Sequence, residues 1–264
     1  MSDPLIGAEE SDHIGVMTSA VSASRGWGDE AFEMRVIESR RITPSVHKII
    51  LSKPETFRFL PVQFTFLSLM TQEGMMDTRP MSIATSPTRP NLEYAVRLSD
   101  SFYKRAFASL KPGDSVTVQG PFGDFVLDEK RPAVLIAGGI GITPLKGMAE
   151  YAADKKLQTP IRLLYSNRTR DEIAYGSELE ELERHNPKFI VFHTLTGENV
   201  SKDWQGLRGR INTEYLLKAS DGLERPNYYL CGTPGLVSAC FDLLHRMGVS
   251  EEDVNYEVFR GYWN

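Results

Sequence analysis

The chain has 264 residues, 41% of them hydrophobic and 25% charged, which is the balance of a globular protein with one large domain or two ordinary ones. Its net charge of −5, without a run of basic residues, argues against nucleic acid or an anionic membrane surface as a main partner. No apolar stretch approaches the roughly 20 residues of a membrane span and no signal pattern opens the chain, so we expect a cytoplasmic location.

Metal and disulfide sites are not expected. The two cysteines argue against a disulfide framework, and they exclude an iron–sulfur cluster held by four cysteines of this chain. The five histidines lack the spacing of metal ligands. We therefore predict no metal site.

Residues 1–30 are rich in Ser, Gly, Ala, Asp and Glu and lack a hydrophobic period, so we expect a mobile leader. Trp27 is the exception, and a leader that folds over a site stays open as the alternative. From residue 31 to residue 130 the pattern changes to short strands separated by turn signals, with one helix. The predicted strands are Phe32–Arg41, Val46–Ser52, Arg79–Thr85, Leu92–Leu98 and Ser115–Gln119, an apolar stretch spans Phe57–Met70, and the helix spans Ser101–Leu110. This pattern predicts a small antiparallel β-barrel.

From residue 131 to residue 264 strands alternate with helices, which predicts a parallel sheet with helices on both faces. The predicted strands are Ala133–Ala137, Ile161–Tyr165, Phe189–Thr194, Tyr228–Cys231 and Val254–Phe259, and the helices are Pro144–Ala153, Gly176–His185, Thr213–Lys218 and Gly235–Met247. Such sheets bind ligands at the carboxyl ends of their strands, where Gly138, Ser166, Thr194 and Cys231 lie. The cleft between the two predicted domains is therefore the expected site.

The first strand of this second domain runs into a glycine turn, Gly138-Gly-Ile-Gly-Ile-Thr-Pro144, that opens a helix. Glycine lets the backbone approach a ligand, and the unbonded N–H groups and dipole at a helix start favour anionic charge. Pro144 suits a first helical turn, where its missing N–H costs nothing. The turn predicts a diphosphate site, although its spacing is not GxGxxG. Glycines that serve packing alone are the alternative.

Four separated motifs follow one another across both predicted domains. They are Arg79-Pro80-Met81-Ser82, then residues 110–114 with 120–125, then residues 138–144, and last residues 231–234 followed by 257–262. In this order they resemble the motifs of the ferredoxin–NADP⁺ reductase superfamily of flavoproteins. The resemblance runs from about Phe32 to Asn264. It implies an FAD-binding barrel followed by an NAD(P)-binding α/β domain, without a fused iron–sulfur domain.

The resemblance implies that Arg79 pairs with the flavin diphosphate and that Ser82 hydrogen-bonds N5, the flavin atom that accepts hydride. Met81 stands where the family usually has Tyr or Phe, so it can pack on the ring without stacking. Lys104 and Arg105, where many members carry a GxxS sequence, would add phosphate donors, with a solvated helix face as the alternative. Further residues implied to border the flavin are Pro80, Tyr94, Val96 and Arg97.

The resemblance also implies a nicotinamide nucleotide site in the second domain. Cys231 would lie near nicotinamide C4, with a buried small hydrophobe as the alternative reading. Glu257 and Phe259 would border both rings, and the terminal Tyr262 and Trp263 would shield the flavin face or pack on the surface. The residues implied to hold the nucleotide are Gly139, Gly141, Thr143, Pro144, Gly232 and Pro234.

The end of the second strand of this domain bears on the choice of nucleotide. An NAD site often places Asp or Glu there for the ribose 2′-hydroxyl, whereas Arg accommodates a 2′-phosphate. Ser166, Arg168 and Arg170 come before Asp171, which favours NADPH over NADH. Tyr175 is a candidate to stack on adenine. A basic loop without a ligand is the alternative.

These expectations describe a flavoprotein that moves a hydride between NAD(P)H and FAD and passes electrons to a separate acceptor such as ferredoxin or another redox protein. The rate gain would come from holding the two rings together, so no acid–base pair is required. Ser82, Cys231 and Glu257 are the predicted catalytic residues. The alternatives are a reductase of free flavin, a quinone or a haem protein, an electron-transfer subunit of a larger complex, and FMN in place of FAD.

Overall fold

The computed structural model of the chain describes residues 30–259. The predicted leader, apart from its last residue, lies outside the described residues together with Trp27. The terminal Tyr262 and Trp263 also lie outside them. Within the described part of the chain, no helix combines the length and the apolar character needed to cross a bilayer.

The first domain is a six-stranded sheet in which every pairing is antiparallel. Its strands are β1 (Ala31–Arg41), β2 (Val46–Ser52), β3 (Phe64–Met70), β4 (Met76–Ser82), β5 (Asn91–Arg97) and β6 (Ser115–Phe122), in the order β4-β3-β6-β1-β2-β5. The sheet is curled, so that its two edge strands approach each other. The N–H of Ala84, just after β4, donates to the carbonyl of Glu93 on β5 at 2.8 Å. The predicted antiparallel barrel is therefore confirmed, as a curled sheet.

Buried and partly exposed side chains alternate along the strands, and the buried ones fill the interior of the curled sheet. On β3, Thr65, Leu67 and Leu69 are buried, whereas the residues between them are partly exposed. Helix α1 (Phe102–Ser109) closes one end, and the hydroxyl of Ser101 caps it by accepting from the N–H of its third residue. Its buried side chains pack into the same core as β3.

The second domain is a six-stranded parallel sheet with helices on both faces, as predicted. Its strands are β7 (Ala133–Gly138), β8 (Ile161–Asn167), β9 (Phe189–Leu195), β10 (Leu207–Arg208), β11 (Asn227–Gly232) and β12 (Val254–Val258), in the order β10-β9-β8-β7-β11-β12. Its helices are α2 (Ile142–Asp154), α3 (Gly176–His185), α4 (Thr213–Ser220) and α5 (Pro234–Arg246). The bounds of 31–130 and 131–264 for the two domains stay a proposal.

Three element boundaries near the site differ from the sequence prediction: both ends of β4 and the start of α2. Strand β4 begins at Met76 rather than Arg79, because a tight turn around Gly74 brings it back against β3. It ends at Ser82, since the next residue donates its N–H to Gln63 instead of continuing the ladder. Helix α2 begins at Ile142, two residues before Pro144. Ser82 therefore lies at a strand end, where the chain leaves the sheet.

Candidate active site

A cleft of about 910 Å³ opens between the barrel and the carboxyl ends of β7, β8, β11 and β12; we call it the interdomain cleft. From the barrel it is lined by Ser45, Val46, Phe64, Pro80, Met81, Ser82, Ala95, Val96, Arg97 and Lys104. From the second domain it is lined by Gly138, Gly139, Ile140, Thr143, Ser166, Asn167, Arg168, Glu172, Thr196, Gly232, Thr233, Leu236, Glu257, Val258 and Phe259. Most of the sequence-predicted site residues thus meet at one place, although they come from distant parts of the chain.

Ser82 and Glu257 form a contact across this cleft. Ser82 ends β4 and Glu257 lies on β12, and the hydroxyl donates to the carboxylate at 3.4–3.5 Å. Burial penalises the charged carboxylate and raises the pKa of Glu257 to about 7, although the hydrogen bond from Ser82 opposes the shift. The pair can therefore hold or release a proton near neutral pH, next to the strand end that the sequence assigns to the flavin.

Cys231 lies beside this pair without reaching the cleft. On β11 it is in register with Ala137 of β7 and with Glu257 of β12, and its side chain is fully buried in the core. Burial, and secondarily the Glu257 carboxylate, raise the pKa of the Cys231 thiol well above its ordinary value. The thiol is therefore neutral and buried, which fits the alternative reading as a small buried hydrophobe. The predicted contact with nicotinamide stays a prediction.

The glycine turn combines two different roles. Gly139 has φ +52°, and the nearest atom to a Cβ built there is Nη1 of Arg97 at 3.9 Å, so its backbone is open towards a cation in the cleft. At Gly141 a Cβ would lie 2.2 Å from the carbonyl oxygen of Cys231, so only glycine lets the turn pass this close to β11. Gly141 serves packing, the alternative stated above, and Gly139 faces the cleft. Pro144 is buried in α2 and does not line the cleft.

Positive charge gathers at the barrel side of the cleft. Arg97 of β5 and Lys104 of α1 both line it. Burial lowers the pKa of Lys104, and the nearby charge of Arg97 lowers it further. Such crowding of cations favours an anionic ligand at this place.

Two predicted phosphate ligands lie elsewhere. Arg105 follows Lys104 by one helical position, which turns its side chain about 100° away. There it pairs with Asp100 and Glu73 and stacks over the ring of Phe102 at 4.8 Å, so the expectation that it lines the site is not met. Arg79 forms an ion pair with Asp77 at 3.0 Å and is not among the described residues that line the cleft. Its contact with a diphosphate stays a prediction.

The side chains of the two predicted tyrosines are both buried, so a flavin contact of Tyr94 would come from its main chain. Tyr94 is fully buried in the barrel core, where its hydroxyl meets that of Thr65 at 3.0 Å, because its strand position points inward. Tyr175 is 3% exposed at the domain interface, with the ammonium groups of Lys146 and Lys48 at 5.0 and 5.7 Å from its ring. The ring of Tyr175 thus packs between the domains, and its stacking on adenine stays a prediction.

The end of β8 divides its predicted residues. Ser166 and Arg168 line the cleft, whereas Arg170 lies in a short 3₁₀ turn and does not. At the start of α5, Pro234 is not among the lining residues, but its neighbour Thr233 is.

Several residues that line the cleft were not predicted from the sequence. They are Ser45, Val46, Phe64, Ile140, Asn167, Glu172, Thr196, Thr233, Leu236 and Val258. Of these, Thr233 had a signal, since a Thr before Pro after a strand marks a helix start.

The chain is similar to several known proteins. The oxidoreductase NAD-binding domain family matches residues 135–242. The flavohemoprotein of Bacillus subtilis is 25% identical over 98% of this chain and 65% of its own length. One component of the Na⁺-translocating NADH-quinone reductase of Actinobacillus pleuropneumoniae is 33% identical over 58% of this chain and 39% of its own length. The chain thus spans less than two thirds of these relatives.

A solved structure shares the whole two-domain arrangement. A ferredoxin–NADP⁺ reductase from Neisseria gonorrhoeae with bound FAD and NADP is 22% identical, with a TM-score of 0.74. The superposition covers 86% of this chain and 98% of the other. The chain therefore shares the two-domain fold of this reductase, and its second domain matches the oxidoreductase NAD-binding domain family.

Proposed function

We propose that the chain is a flavoprotein oxidoreductase that moves a hydride between NAD(P)H and bound FAD and passes electrons to a separate acceptor, such as ferredoxin or another redox protein. The observation that carries the proposal is the contact between Ser82 and Glu257 in a cleft whose two walls belong to different domains. A cytoplasmic location is part of the same proposal.

The barrel wall fits a flavin with a diphosphate. Met81 and Val96 offer apolar surface to a ring, and Ser82 offers a hydroxyl that both donates and accepts. Arg97 and Lys104 supply positive charge for the diphosphate. In this proposal Ser82 holds the flavin N5 edge, and the two cations hold the phosphates.

The opposite wall fits a nicotinamide nucleotide. The open backbone of Gly139 stands at the start of the α2 segment, where unbonded N–H groups favour a diphosphate. Gly232 and Thr233 line the cleft beside Glu257, at the place a nicotinamide ring would need. When bound, NAD(P)H supplies the hydride and FAD accepts it. The chain's own residues hold the two rings together and exclude water.

NADPH is the proposed nucleotide. Arg168 lines the cleft at the carboxyl end of β8, next to Ser166, and a guanidinium pairs well with a 2′-phosphate. Asp171 and Glu172 follow within a short turn, and the Glu172 carboxylate is engaged by the hydroxyls of Ser45 and Thr43 from the barrel. One oxygen of this carboxylate, Oε2, is thus already engaged by the barrel, which makes Glu172 a weaker partner for a ribose 2′-hydroxyl.

A second candidate concerns the acceptor. The names of the relatives, a flavohemoprotein and a component of a quinone reductase, favour a haem protein or a quinone in place of ferredoxin. Free flavin belongs to the same alternative. The chain would then act as a reductase of that acceptor, or as the electron-transfer subunit of a larger redox complex.

One experiment tests the core of the proposal. The purified protein should be yellow, release FAD rather than FMN by mass spectrometry, and lose its flavin absorbance when titrated with NADPH without oxygen. A colourless protein that gains no affinity for added FAD would refute it. Comparing ferredoxin, cytochrome, quinone and free flavin as acceptors then separates the two candidates, and a stoichiometric partner with negligible activity of the isolated chain would favour the subunit reading.

A further inference from the structure

A network of buried charges joins the two domains behind the interdomain cleft. Lys146 of α2 is 2% exposed, and its ammonium group lies 3.4 Å from Glu93 of β5 and 2.9 Å from Glu150 of its own helix. Lys48 of β2 is 4% exposed and bridges Glu93 at 3.2 Å and Glu178 of α3 at 3.3 Å. Two cations and three carboxylates from both domains thus meet at one seam.

Such a network needs an explanation other than stability. Removing charges from water is costly, and a buried ion pair often stabilises a fold no more than well-packed apolar side chains would. What buried charges provide is a defined arrangement, because each group must face its partner. The ion pair between Lys146 and Glu93 joins α2 to strand β5 and so fixes the distance between this helix and the barrel.

That distance bears on the cleft. Thr143 lies three residues before Lys146 on α2, and Ala95 lies two residues after Glu93 on β5. Thr143 and Ala95 line the interdomain cleft from its two opposite sides. The ion pair between Lys146 and Glu93 therefore links the wall proposed for the nucleotide to the wall proposed for the flavin.

Helix α2 is also fastened to the segment that follows Ser82. The Lys146 ammonium donates to the carbonyl of Ala84 at 3.3 Å, and the Glu150 carboxylate accepts the N–H of Ser86 at 3.0 Å. At Gly147 a Cβ would lie 3.1 Å from the carbonyl oxygen of Thr85, so the helix lies directly on this backbone. Lys146 thus reaches, through one carbonyl, to within two residues of Ser82.

We propose that Lys146 is a positioning residue: by binding Glu93 and the Ala84 carbonyl, it sets the separation between the nucleotide wall and Ser82 that hydride transfer requires. The residue touches neither cofactor and acts through the groups it binds. The inference rests on the proposed function and adds to it the part of the chain that holds the two half-sites in register.

The test compares Lys146→Met with Lys155→Met, a control lysine that follows the same helix and is exposed. Each holoprotein is mixed with NADPH without oxygen, and the long-wavelength absorbance of a nicotinamide stacked on oxidised flavin is recorded with the rate of flavin reduction. We expect Lys146→Met to retain FAD, to lose most of this absorbance and to slow reduction by about tenfold or more. KM for NADPH should change by less than about threefold, since no nucleotide contact is removed. Lys155→Met should match the wild type.

Hydrogen exchange adds a readout that needs no cofactor. In Lys146→Met the backbone amides of Ala84 and Ser86, across the interface, should exchange faster than in the control. Because Lys146→Met leaves buried carboxylates unpaired, a second variant, Gly147→Ala, displaces the helix without changing charge. It should weaken the same absorbance, whereas Gly176→Ala, whose Cβ meets only an ordinary contact at 3.5 Å, should not.

The outcomes separate the two proposals. The proposed function is refuted if the wild-type protein binds no FAD, or if its bound FAD stays oxidised when NADPH is added. This inference is then refuted with it. Suppose instead that the wild type binds FAD and is reduced by NADPH. If Lys146→Met or Gly147→Ala then shows the same absorbance, reduction rate and exchange pattern as the wild type, this inference alone is overturned.

Discussion

The hydroxyl of Ser82 lies 3.4 Å from one carboxylate oxygen of Glu257 and 3.5 Å from the other, although 175 residues separate them in the chain. Ser82 belongs to the barrel and Glu257 to the last strand of the second domain, so docking of the domains creates the contact. A carboxyl group with a pKa of about 7 can occupy either role in this bond. Below that pH it is neutral and can donate to Ser82, and above it the carboxylate accepts.

The first prediction concerns pH. When Glu257 is protonated, its O–H donates to Ser82, and the serine proton is available to flavin N5. When Glu257 is ionised, its carboxylate accepts the hydrogen bond from the Ser82 hydroxyl, which is then not available to donate to N5. The rate of flavin reduction should therefore fall as pH rises through about 7, the pKa of Glu257, in rapid-mixing experiments without oxygen.

Glu257→Gln provides the comparison for this titration. The amide N–H₂ donates to Ser82 at every pH, so the fall near neutral pH should disappear. A variant that keeps the step, or a wild type without one, would show that another group titrates.

The second prediction concerns Ser82 itself. Ser82→Ala should slow flavin reduction by about ten- to a hundredfold, because a hydrogen bond to a group that gains charge contributes about 1.5–3 kcal/mol, with little loss of bound FAD. Ser68→Ala is the matched control, since that hydroxyl lies on the neighbouring strand β3 and is bonded to Thr78 at 2.7 Å. Equal rates in the two variants would remove Ser82 from the proposed role.

The sequence predicted the fold well because two patterns were clear: short strands separated by turns in the first domain, and strands alternating with helices in the second. The apolar run of β7, the glycine turn and α2 follow one another as the pattern predicts, with α2 starting two residues early, and Ser82 and Ser166 do line the cleft. A pattern locates a strand end but not the direction of each side chain. The pattern therefore could not show that the Tyr94 side chain is buried in the barrel core or that Arg105 pairs with Glu73.

What the sequence could not supply is the way the domains dock. The buried pair of Lys146 and Glu93 joins elements 53 residues apart, and neither residue stood out in its own segment. Burial in the folded protein likewise raises the pKa of Glu257, and no feature of its own segment indicates that burial. Such properties belong to tertiary contacts, which no local period encodes.

The third prediction concerns the choice of nucleotide. Arg168→Ala should raise KM for NADPH by about tenfold, the usual effect of losing a charged hydrogen bond, and should change KM for NADH little. Arg170→Ala is the control, because this residue lies outside the cleft lining despite its place in the same basic loop. Parallel steady-state measurements with both nucleotides decide it. An equal loss for NADH would mean that Arg168 binds a group common to both nucleotides.

The fourth prediction concerns FAD affinity. Lys104→Met should weaken FAD binding by about tenfold at low salt, because a cation facing the diphosphate is removed. Arg105→Met, one residue away, should bind FAD as the wild type does, since its guanidinium is engaged by Asp100 and Glu73. Fluorescence titration of the apoprotein measures both. A larger loss for Arg105→Met would mean that α1 turns its other face to the diphosphate.

The last prediction separates the two glycines of the turn by stability. Gly141→Ala places a methyl group 2.2 Å from a backbone oxygen that has no room to move, so it should cost about 3 kcal/mol or more. Gly139→Ala meets only a flexible guanidinium at 3.9 Å and pays mainly for its φ of +52°, about 1–2 kcal/mol. Gly235→Ala, with nothing within 4 Å in helix α5, should be neutral or slightly stabilising. Urea unfolding at equal slopes ranks the three. If Gly141→Ala were as stable as Gly235→Ala, the close approach of the turn to β11 would not exist in solution.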